Sequence, residues 1–201
     1  MKNCVNIKNK FISKSRLAQY DNINEYIENL KLSNKFYIPL SIVEISLRNS
    51  LNSFFIERIG KDWIFDKTFI KPQLQSKIDT SIKILKQQNK VITQDNIIAE
   101  LSFGFWIMLL KKPFQEYLRY KDLKEIFPNI IIEKDIKVNR HYIFTKLNKI
   151  RLFRNKVFHF DKIINKSEYI NIKNDIYLIL QYFDDKLYEF AKDKDCEHKN
   201  D

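Results

Sequence analysis

Apolar residues recur along most of the chain at three- and four-residue steps, the spacing that places them on one face of an α-helix. The helices predicted from this spacing are Ser13–Leu32, Tyr37–Ile59, Pro72–Gln88, Gln94–Leu110, Val138–Phe160 and Ser167–Lys192, with a short amphipathic piece at Pro113–Phe127. Ser33 and Asn34 are expected to separate the first two helices, and Pro39 is expected in the first turn of the second. The pattern therefore predicts an all-α fold, a single helical bundle of about six helices.

Turn-forming residues are scarce, with 2 glycines and 4 prolines in the 201 residues. A β-rich fold would need more of them, which also favours helices. The run Asn129–Ile132 has strand propensity but is short and isolated, so it is interpreted as a loop or a lone extended segment. The expected organisation is an N-terminal arm (1–12), one helical domain (13–192) and a charged, frayed tail (193–201).

The composition points to an intracellular protein with a polyanionic partner. Lysine and arginine total 36 against 25 acidic residues, a formal net charge of +11, although a biased, AT-rich genome would also enrich lysine. The longest apolar run, Leu101–Leu110, is about half of what a membrane span requires. Cys4 and Cys196 lie near opposite ends, without disulfide or zinc spacing. We therefore expect a cytoplasmic protein with no membrane partner.

The positive charge is concentrated near the C-terminal third of the chain. Between Lys134 and Lys166 there are ten basic and only two acidic residues. A phosphate backbone would be bound at such a segment, and a solvated lysine-rich face would give the same pattern. The candidate RNA-binding residues in it are Arg140, Lys149, Arg151, Lys156 and Lys162.

Within this basic segment lies the strongest candidate chemistry, an arginine and a histidine. His159 is the only histidine set among large apolar residues, and Arg154 precedes it by five positions. A histidine can take the proton of a 2′-hydroxyl and return one to a leaving oxygen, while an arginine stabilises charge on a phosphate. The competing interpretation is a hydrogen-bonded core histidine. A metal-dependent nuclease is disfavoured because the acidic residues do not cluster, so no metal or cofactor is predicted.

The helical geometry limits how this pair could act. Arg151, Asn155 and His159 share one helix face, whereas Arg154 and His159 stand about 140° apart around an ideal helix. They can share a substrate only if the helix ends or distorts near His159, or if two copies of the helix meet. A two-fold dimer formed through this helix would bring two such pairs into one cleft.

Two other features bear on the site. Glu44 and Arg48 are four residues apart, which predicts either a surface salt bridge or a pair that orients an interior group. Gly104, in the middle of a predicted helix, suggests close packing of another backbone. Phe103, Phe105 and Trp106 could stack on bases, but their helical spacing favours core positions.

Four short segments resemble the signatures of a known family. Arg154–His159 matches the R-N-x-x-x-H motif of the HEPN ribonuclease superfamily. Glu44–Asn49, Gly60–Trp63 and Leu101–Gly104 resemble, in order, the other signatures of its abortive-infection (Abi-like) branch. The resemblance implies an all-helical dimer that cleaves RNA without metal and leaves a 2′,3′-cyclic phosphate. It also implies that Arg154 and His159 are catalytic and that Asn155 is their polar companion.

The sequence thus predicts an endoribonuclease of phage defence, in which Glu44 and Arg48 support the Arg154–His159 site. The alternative is a non-catalytic helical dimer that binds RNA or protein. An active cellular ribonuclease would be toxic, so an RNA or protein antitoxin is a physically reasonable restraint. The defence role rests on the family resemblance alone.

Overall fold

A computed structural model describes residues 12–130 and 138–197, and these residues form α-helices, short 3-10 turns and no β-strand. The predicted all-α class is therefore confirmed. The nine α-helices of the described residues are α1 (Lys14–Leu17), α2 (Ile23–Arg58), α3 (Pro72–Gln87), α4 (Gln94–Glu100), α5 (Phe103–Met108), α6 (Tyr120–Ile126), α7 (Arg140–Phe158), α8 (Ile172–Phe183) and α9 (Asp185–Glu197). None of them is long and apolar enough to cross a bilayer.

Helix α2 is the central element of the bundle and packs against α5, α6, α7, α8 and α9. Its core-facing residues recur at three- and four-residue steps and are fully buried: Leu40, Val43, Leu47, Leu51 and Phe55. Each such side chain contributes about 1.5–3 kcal/mol by leaving water. The site described below is built on this rigid helix.

The predicted break at Ser33 and Asn34 is wrong, because α2 runs through it for 36 residues. The Ser33 hydroxyl donates to the Asn29 carbonyl inside the helix at 2.9 Å, so this side chain does not compete with the helical bonds. Pro39 consequently lies in the helix interior and not in a first turn. An interior proline costs about 3 kcal/mol in an isolated helix, a cost that the extensive packing of α2 offsets.

The predicted helix Ser13–Leu32 is interrupted at residues 18–22, between α1 and α2, and two other predicted helices are each divided into two. Leu101 and Ser102 are extended and separate α4 from α5, while Thr93 caps α4 as its hydroxyl accepts from the Asn96 N–H. Asp184 separates α8 from α9 and accepts from the N–H groups of Lys186 and Leu187. Both breaks thus occur at residues suited to cap a helix N-terminus.

The remaining boundaries agree with the sequence pattern at α3 and α7, which differ from their predicted limits by at most two residues. The predicted piece at 113–127 divides into a 3-10 turn, Lys112–Phe114, and α6. Helix α9 continues to Glu197, five residues into the predicted tail. The predicted arm before Ile12, the end of the tail (198–201) and the second half of the segment 129–132 lie outside the described residues.

Phe103, Phe105 and Trp106 are all buried in the core, as their spacing favoured. Phe105 and Trp106 form part of an aromatic cluster around Trp63, whose ring lies 6.0 Å from that of Trp106. The Trp63 indole N–H donates to Asn52 of α2 at 2.9 Å. These aromatic side chains are therefore not accessible for stacking on bases.

Candidate functional site

Helix α7 ends immediately before His159, which is its C-cap residue. The Phe160 N–H donates to the Val157 carbonyl at 3.1 Å, and the Asp161 N–H donates to the Lys156 carbonyl at 2.9 Å. This pair of bonds is the Schellman arrangement that closes many helix C-termini. Phe160 occupies its left-handed position, with φ of 58°. One condition for Arg154 and His159 to share a substrate is that the helix ends near His159, and it is met.

The His159 side chain is exposed, and no side chain of the described residues hydrogen-bonds to its imidazole. The interpretation of His159 as a buried core histidine is therefore wrong. Its backbone N–H donates to the Asn155 carbonyl at 3.0 Å, within the last turn of α7. Asn155 is half-buried on the same face of the helix. The imidazole is accessible to a ligand from solvent.

Arg154 is held between α7 and α2. Its Nε lies 3.0 Å from Oε2 of Glu44, with both side chains about three-quarters buried. The Arg154 N–H bond does not point at an acceptor, so the contact is an ion pair without a hydrogen bond. The guanidinium also lies over the Phe158 ring, 4.2 Å from its centroid, a cation–π contact. Arg154 is therefore oriented on two sides by protein groups.

The predicted pair of Glu44 and Arg48 does not form a surface salt bridge. Glu44 pairs with Arg154 from α7, and the Nε–H of Arg48 donates to the neighbouring Asn49 side chain at 3.3 Å. The interpretation of Glu44 as an orienting residue for an interior group is the one that agrees with this geometry. Among the described residues, Arg48 forms no hydrogen bond or ion pair with Glu44 or Arg154.

An aromatic groove lies beside the Arg154 guanidinium and was not predicted from the sequence. The Tyr37 ring stacks on that of Phe158, with 4.9 Å between centroids and 16° between planes. Tyr37 is 55% exposed and Phe160 is 60% exposed. The groove encloses about 400 Å³ and is lined by Leu30, Ser33, Asn34, Tyr37, Val157, Phe158 and Phe160. Phe158 and Phe160 flank His159 in the sequence, so an aromatic surface beside His159 could have been predicted. The sequence around Tyr37 does not indicate that this residue joins the groove.

All three of the predicted RNA-binding lysines form ion pairs within the protein. Lys149 lies 3.3 Å from Asp175 of α8, Lys156 lies 3.2 Å from Asp161, and Lys162 lies 2.9 Å from Glu25 of α2. Asp175 and Glu25 come from outside the basic segment of the sequence. Part of the positive charge predicted there is thus offset by acidic residues that folding brings to it.

The two predicted RNA-binding arginines have neutral hydrogen-bond partners and form no ion pair with an acidic residue in the described part of the chain. Arg151 donates through Nε and Nη2 to the Asn148 side chain at 3.2 and 3.0 Å. Arg140 donates to the Leu110 carbonyl. Arg151 also packs beside Gly104, where an added Cβ would stand 3.5 Å from its Cδ. Gly104 therefore accommodates an arginine side chain next to the site, and not another backbone as predicted.

His141 lies far from Arg154 and His159, although it is on the same helix. It is in the first turn of α7, and 18 residues at a rise of about 1.5 Å per residue separate it from His159 by roughly 27 Å. In the part of the chain that the structure describes, no three His, Cys, Asp or Glu side chains are grouped as metal ligands. Arg154, Asn155 and His159 all lie at the opposite, C-terminal end of α7.

No protein-family model matches the sequence, and no curated protein or solved structure is significantly similar to the chain.

Proposed function

We propose that the protein is a metal-independent endoribonuclease in which Arg154 and His159 act on one phosphate of an RNA strand. The observation that carries the proposal is the end of α7, where an accessible imidazole follows within two turns of an oriented guanidinium. The guanidinium is held through its Nε side by Glu44, which leaves its Nη groups as donors for phosphate oxygens. No part of this chemistry requires a metal ion.

The reaction follows from the groups present. The neutral imidazole takes the proton of the 2′-hydroxyl, and the 2′-oxygen attacks the adjacent phosphorus. The bond from phosphorus to the 5′-oxygen breaks, and the imidazolium returns a proton to that oxygen. Arg154 stabilises the charge that develops on the non-bridging oxygens. The products are a 2′,3′-cyclic phosphate and a free 5′-hydroxyl, and DNA is not a substrate because it lacks the attacking hydroxyl.

The family proposal is the abortive-infection branch of the HEPN superfamily, and the placement of its signature segments supports it. Glu44 of the first segment contacts Arg154, and Gly104 of the third lies against Arg151. Trp63 of the second is hydrogen-bonded to α2. The first and third segments thus contact helix α7, which carries the motif, and the second is attached to α2.

We further propose a homodimer that forms through α7 and the adjoining face of α2. Leu152 on α7 is 50% exposed and Ile45 on α2 is 47% exposed, so large apolar side chains flank the polar site. A two-fold axis at this face would place two Arg–His sets in one cleft. The proposed setting is the cytoplasm, in phage defence, with RNA as the substrate and an RNA or protein antitoxin as the restraint.

The second candidate is a non-catalytic dimer of the same fold that binds RNA or protein. The observation that favours it is the internal pairing of Lys149, Lys156 and Lys162, which leaves fewer cations for a substrate strand. In that case Arg154 and His159 would hold the interface and would carry out no reaction.

The deciding experiment incubates purified protein with total RNA in excess chelator and maps the new ends. We expect 2′,3′-cyclic phosphate termini, and at least a 100-fold loss of cleavage in His159→Ala and in Arg154→Ala. His141→Ala is the matched control, because it removes a histidine from the same helix away from the site. Cleavage that persists in His159→Ala, or a parent protein that cuts no RNA, would leave the binding function as the better account.

A further inference from the structure

A single buried side chain holds the segment that follows His159. Asn29 of α2 is fully buried, which is unusual for an amide in the middle of a helix. Its Nδ2 donates to the Asp161 carbonyl at 3.1 Å. Its Oδ1 accepts from the N–H groups of Ile163 at 2.7 Å and Ile164 at 3.0 Å. All three partners are backbone groups of residues 159–165, which we name the His159 turn.

The orientation of the Asn29 amide is fixed by this arrangement. Two backbone N–H groups must face an oxygen and one carbonyl must face the NH₂ group, so the opposite rotamer would lose all three bonds. A buried N–H left without an acceptor is destabilising, because it has lost its hydrogen bond to water. The His159 turn therefore has one favourable position relative to α2.

Further contacts from the start of α2 and from α1 attach the outer side of the turn. Arg16 donates to the Phe160 carbonyl, and Lys162 donates to the Gln19 carbonyl at 2.9 Å. Glu25 accepts from Lys162 and from the Asn165 side chain. The hydrogen bond from Lys162, followed by that from the Asp21 N–H, lowers the pKa of Glu25. The carboxylate is thus ionised and attached to the turn throughout the neutral range.

The turn also contains a strained residue next to His159. Phe160 has a positive φ of 58°, whereas the two other non-glycine residues with positive φ in the described residues are asparagines, which adopt this conformation more readily. The left-handed conformation is unfavourable for such a residue. The bonds that close the C-terminus of α7 offset this cost together with the contacts to Asn29, of which the bond from the Ile163 N–H is buried and the other two are partly buried.

We infer that Asn29 is a positioning residue for the reaction proposed above: it fixes the His159 turn, and with it the backbone that carries the imidazole, relative to the helix that orients the Arg154 guanidinium. The inference rests on the proposed function. No hydrogen bond from a described side chain orients the imidazole, so the protein sets its position through the backbone of His159 and of the turn. The Arg154 guanidinium is attached to Glu44 on the same helix α2. Helix α2 is therefore the common frame for both catalytic groups.

The test compares Asn29→Ala with Asn52→Ala, a matched change on the same helix. Asn52→Ala removes the acceptor of the Trp63 indole N–H and touches no residue of the turn. Because a misplacement of about 1 Å can cost about 10²-fold in rate, we expect Asn29→Ala to lower kcat on a cleaved RNA oligonucleotide by roughly 10- to 100-fold, with KM changed less than about threefold. Asn52→Ala should keep the parent kcat at temperatures where it is folded.

Amide hydrogen exchange supplies a readout that does not depend on activity. In Asn29→Ala we expect faster exchange at the amides of 160–164 and unchanged exchange inside α7, and in Asn52→Ala neither change. Asn29→Asp, which keeps the acceptor for Ile163 and Ile164, should recover part of both the protection and kcat. It also carries the test if Asn29→Ala does not fold.

Parent-like kcat or parent-like exchange in Asn29→Ala overturns the inference, as does an equal loss of kcat in Asn52→Ala. An inactive parent protein instead overturns the proposed function. In that case Asn29 positions no catalytic group, and the exchange data decide only whether it holds the turn. The two failures are therefore distinguishable.

Discussion

The ion pair between Glu44 and Arg154 is the contact that orients the proposed catalytic guanidinium. Replacing Glu44 with glutamine keeps its shape and removes its charge, so Arg154 would lose one of the two groups that orient it. We expect kcat to fall about tenfold, equivalent to about 1.4 kcal/mol in the activation barrier. The free energy of unfolding should fall by about 1–3 kcal/mol, because the pair is about three-quarters buried and the change leaves the Arg154 charge without its partner. Single-turnover cleavage and urea unfolding measure the two quantities.

Glu28→Gln is the control for this change. It removes an ion pair with Lys31 on the same helix, at 2.9 Å between side chains that are more than half exposed. It should alter neither the cleavage rate nor the stability measurably. Equal rates in the Glu44→Gln and parent proteins would show that Phe158 alone is sufficient to orient Arg154.

Single residues differ in how well the sequence predicts their role. Arg154 and His159 are identifiable because they lie five positions apart in a recognisable motif. Asn29 was missed because its side chain is polar, whereas in the structure it is fully buried and the nearby apolar Ile27 is 42% exposed. The partners of Asn29 and of Glu44 lie in distant segments. The spacing of apolar residues predicts which positions are buried. It misses a polar side chain that is buried because distant backbone groups satisfy its hydrogen bonds.

At the scale of elements, the sequence predicted helix α7 closely and the limits of α2 poorly. The ends of α7 are set locally, by the Asn139 side chain that accepts from the Tyr142 N–H and by the turn after His159. The continuity of α2 through Ser33 and Pro39 depends on packing with five other helices, which local propensity does not contain. Likewise, Ser102 and Asp184 each precede a new helix, although the helical spacing of apolar residues continues across both positions and predicts one unbroken helix.

The turn that ends α7 gives a test of stored strain. Phe160→Gly and Phe160→Ala both remove an aromatic ring that is 60% exposed, so the loss of packing is similar and small. Glycine adopts a positive φ freely and alanine does not, so the glycine variant should be more stable than the alanine variant by about 1 kcal/mol. Urea unfolding of the two variants measures this difference. Equal stabilities would mean that the turn relaxes and that Phe160 is not strained.

At the scale of the whole molecule, the linear charge count overestimates the positive surface. The sequence shows ten basic and two acidic residues between Lys134 and Lys166. Folding adds Glu25, Glu44 and Asp175 to the same region, each paired with a basic residue of that segment. The sequence could locate the basic segment, but its net field depends on acidic side chains supplied by other helices.

The proposed dimer depends on the exposed face of α7, which Leu152 shares with Asn155 and His159. Leu152 is 50% exposed and lies outside the core, so Leu152→Glu should leave the fold intact. Two glutamates opposed across a two-fold interface would repel each other and lose apolar contact, so we expect a monomer and a loss of cleavage of at least tenfold. Sedimentation equilibrium and the cleavage assay measure the two effects.

Ile170→Glu is the matched control, because it places the same charge at an apolar residue that is 80% exposed and lies before α8. It should remain dimeric and active, which would assign the effect of Leu152→Glu to its position and not to the added charge. A parent protein that is monomeric and active would remove the dimer and keep the ribonuclease, since the end of α7 would then have to bring Arg154 and His159 of one chain to the same phosphate. A dimer that persists in Leu152→Glu with full activity would instead place the interface on another face of the bundle.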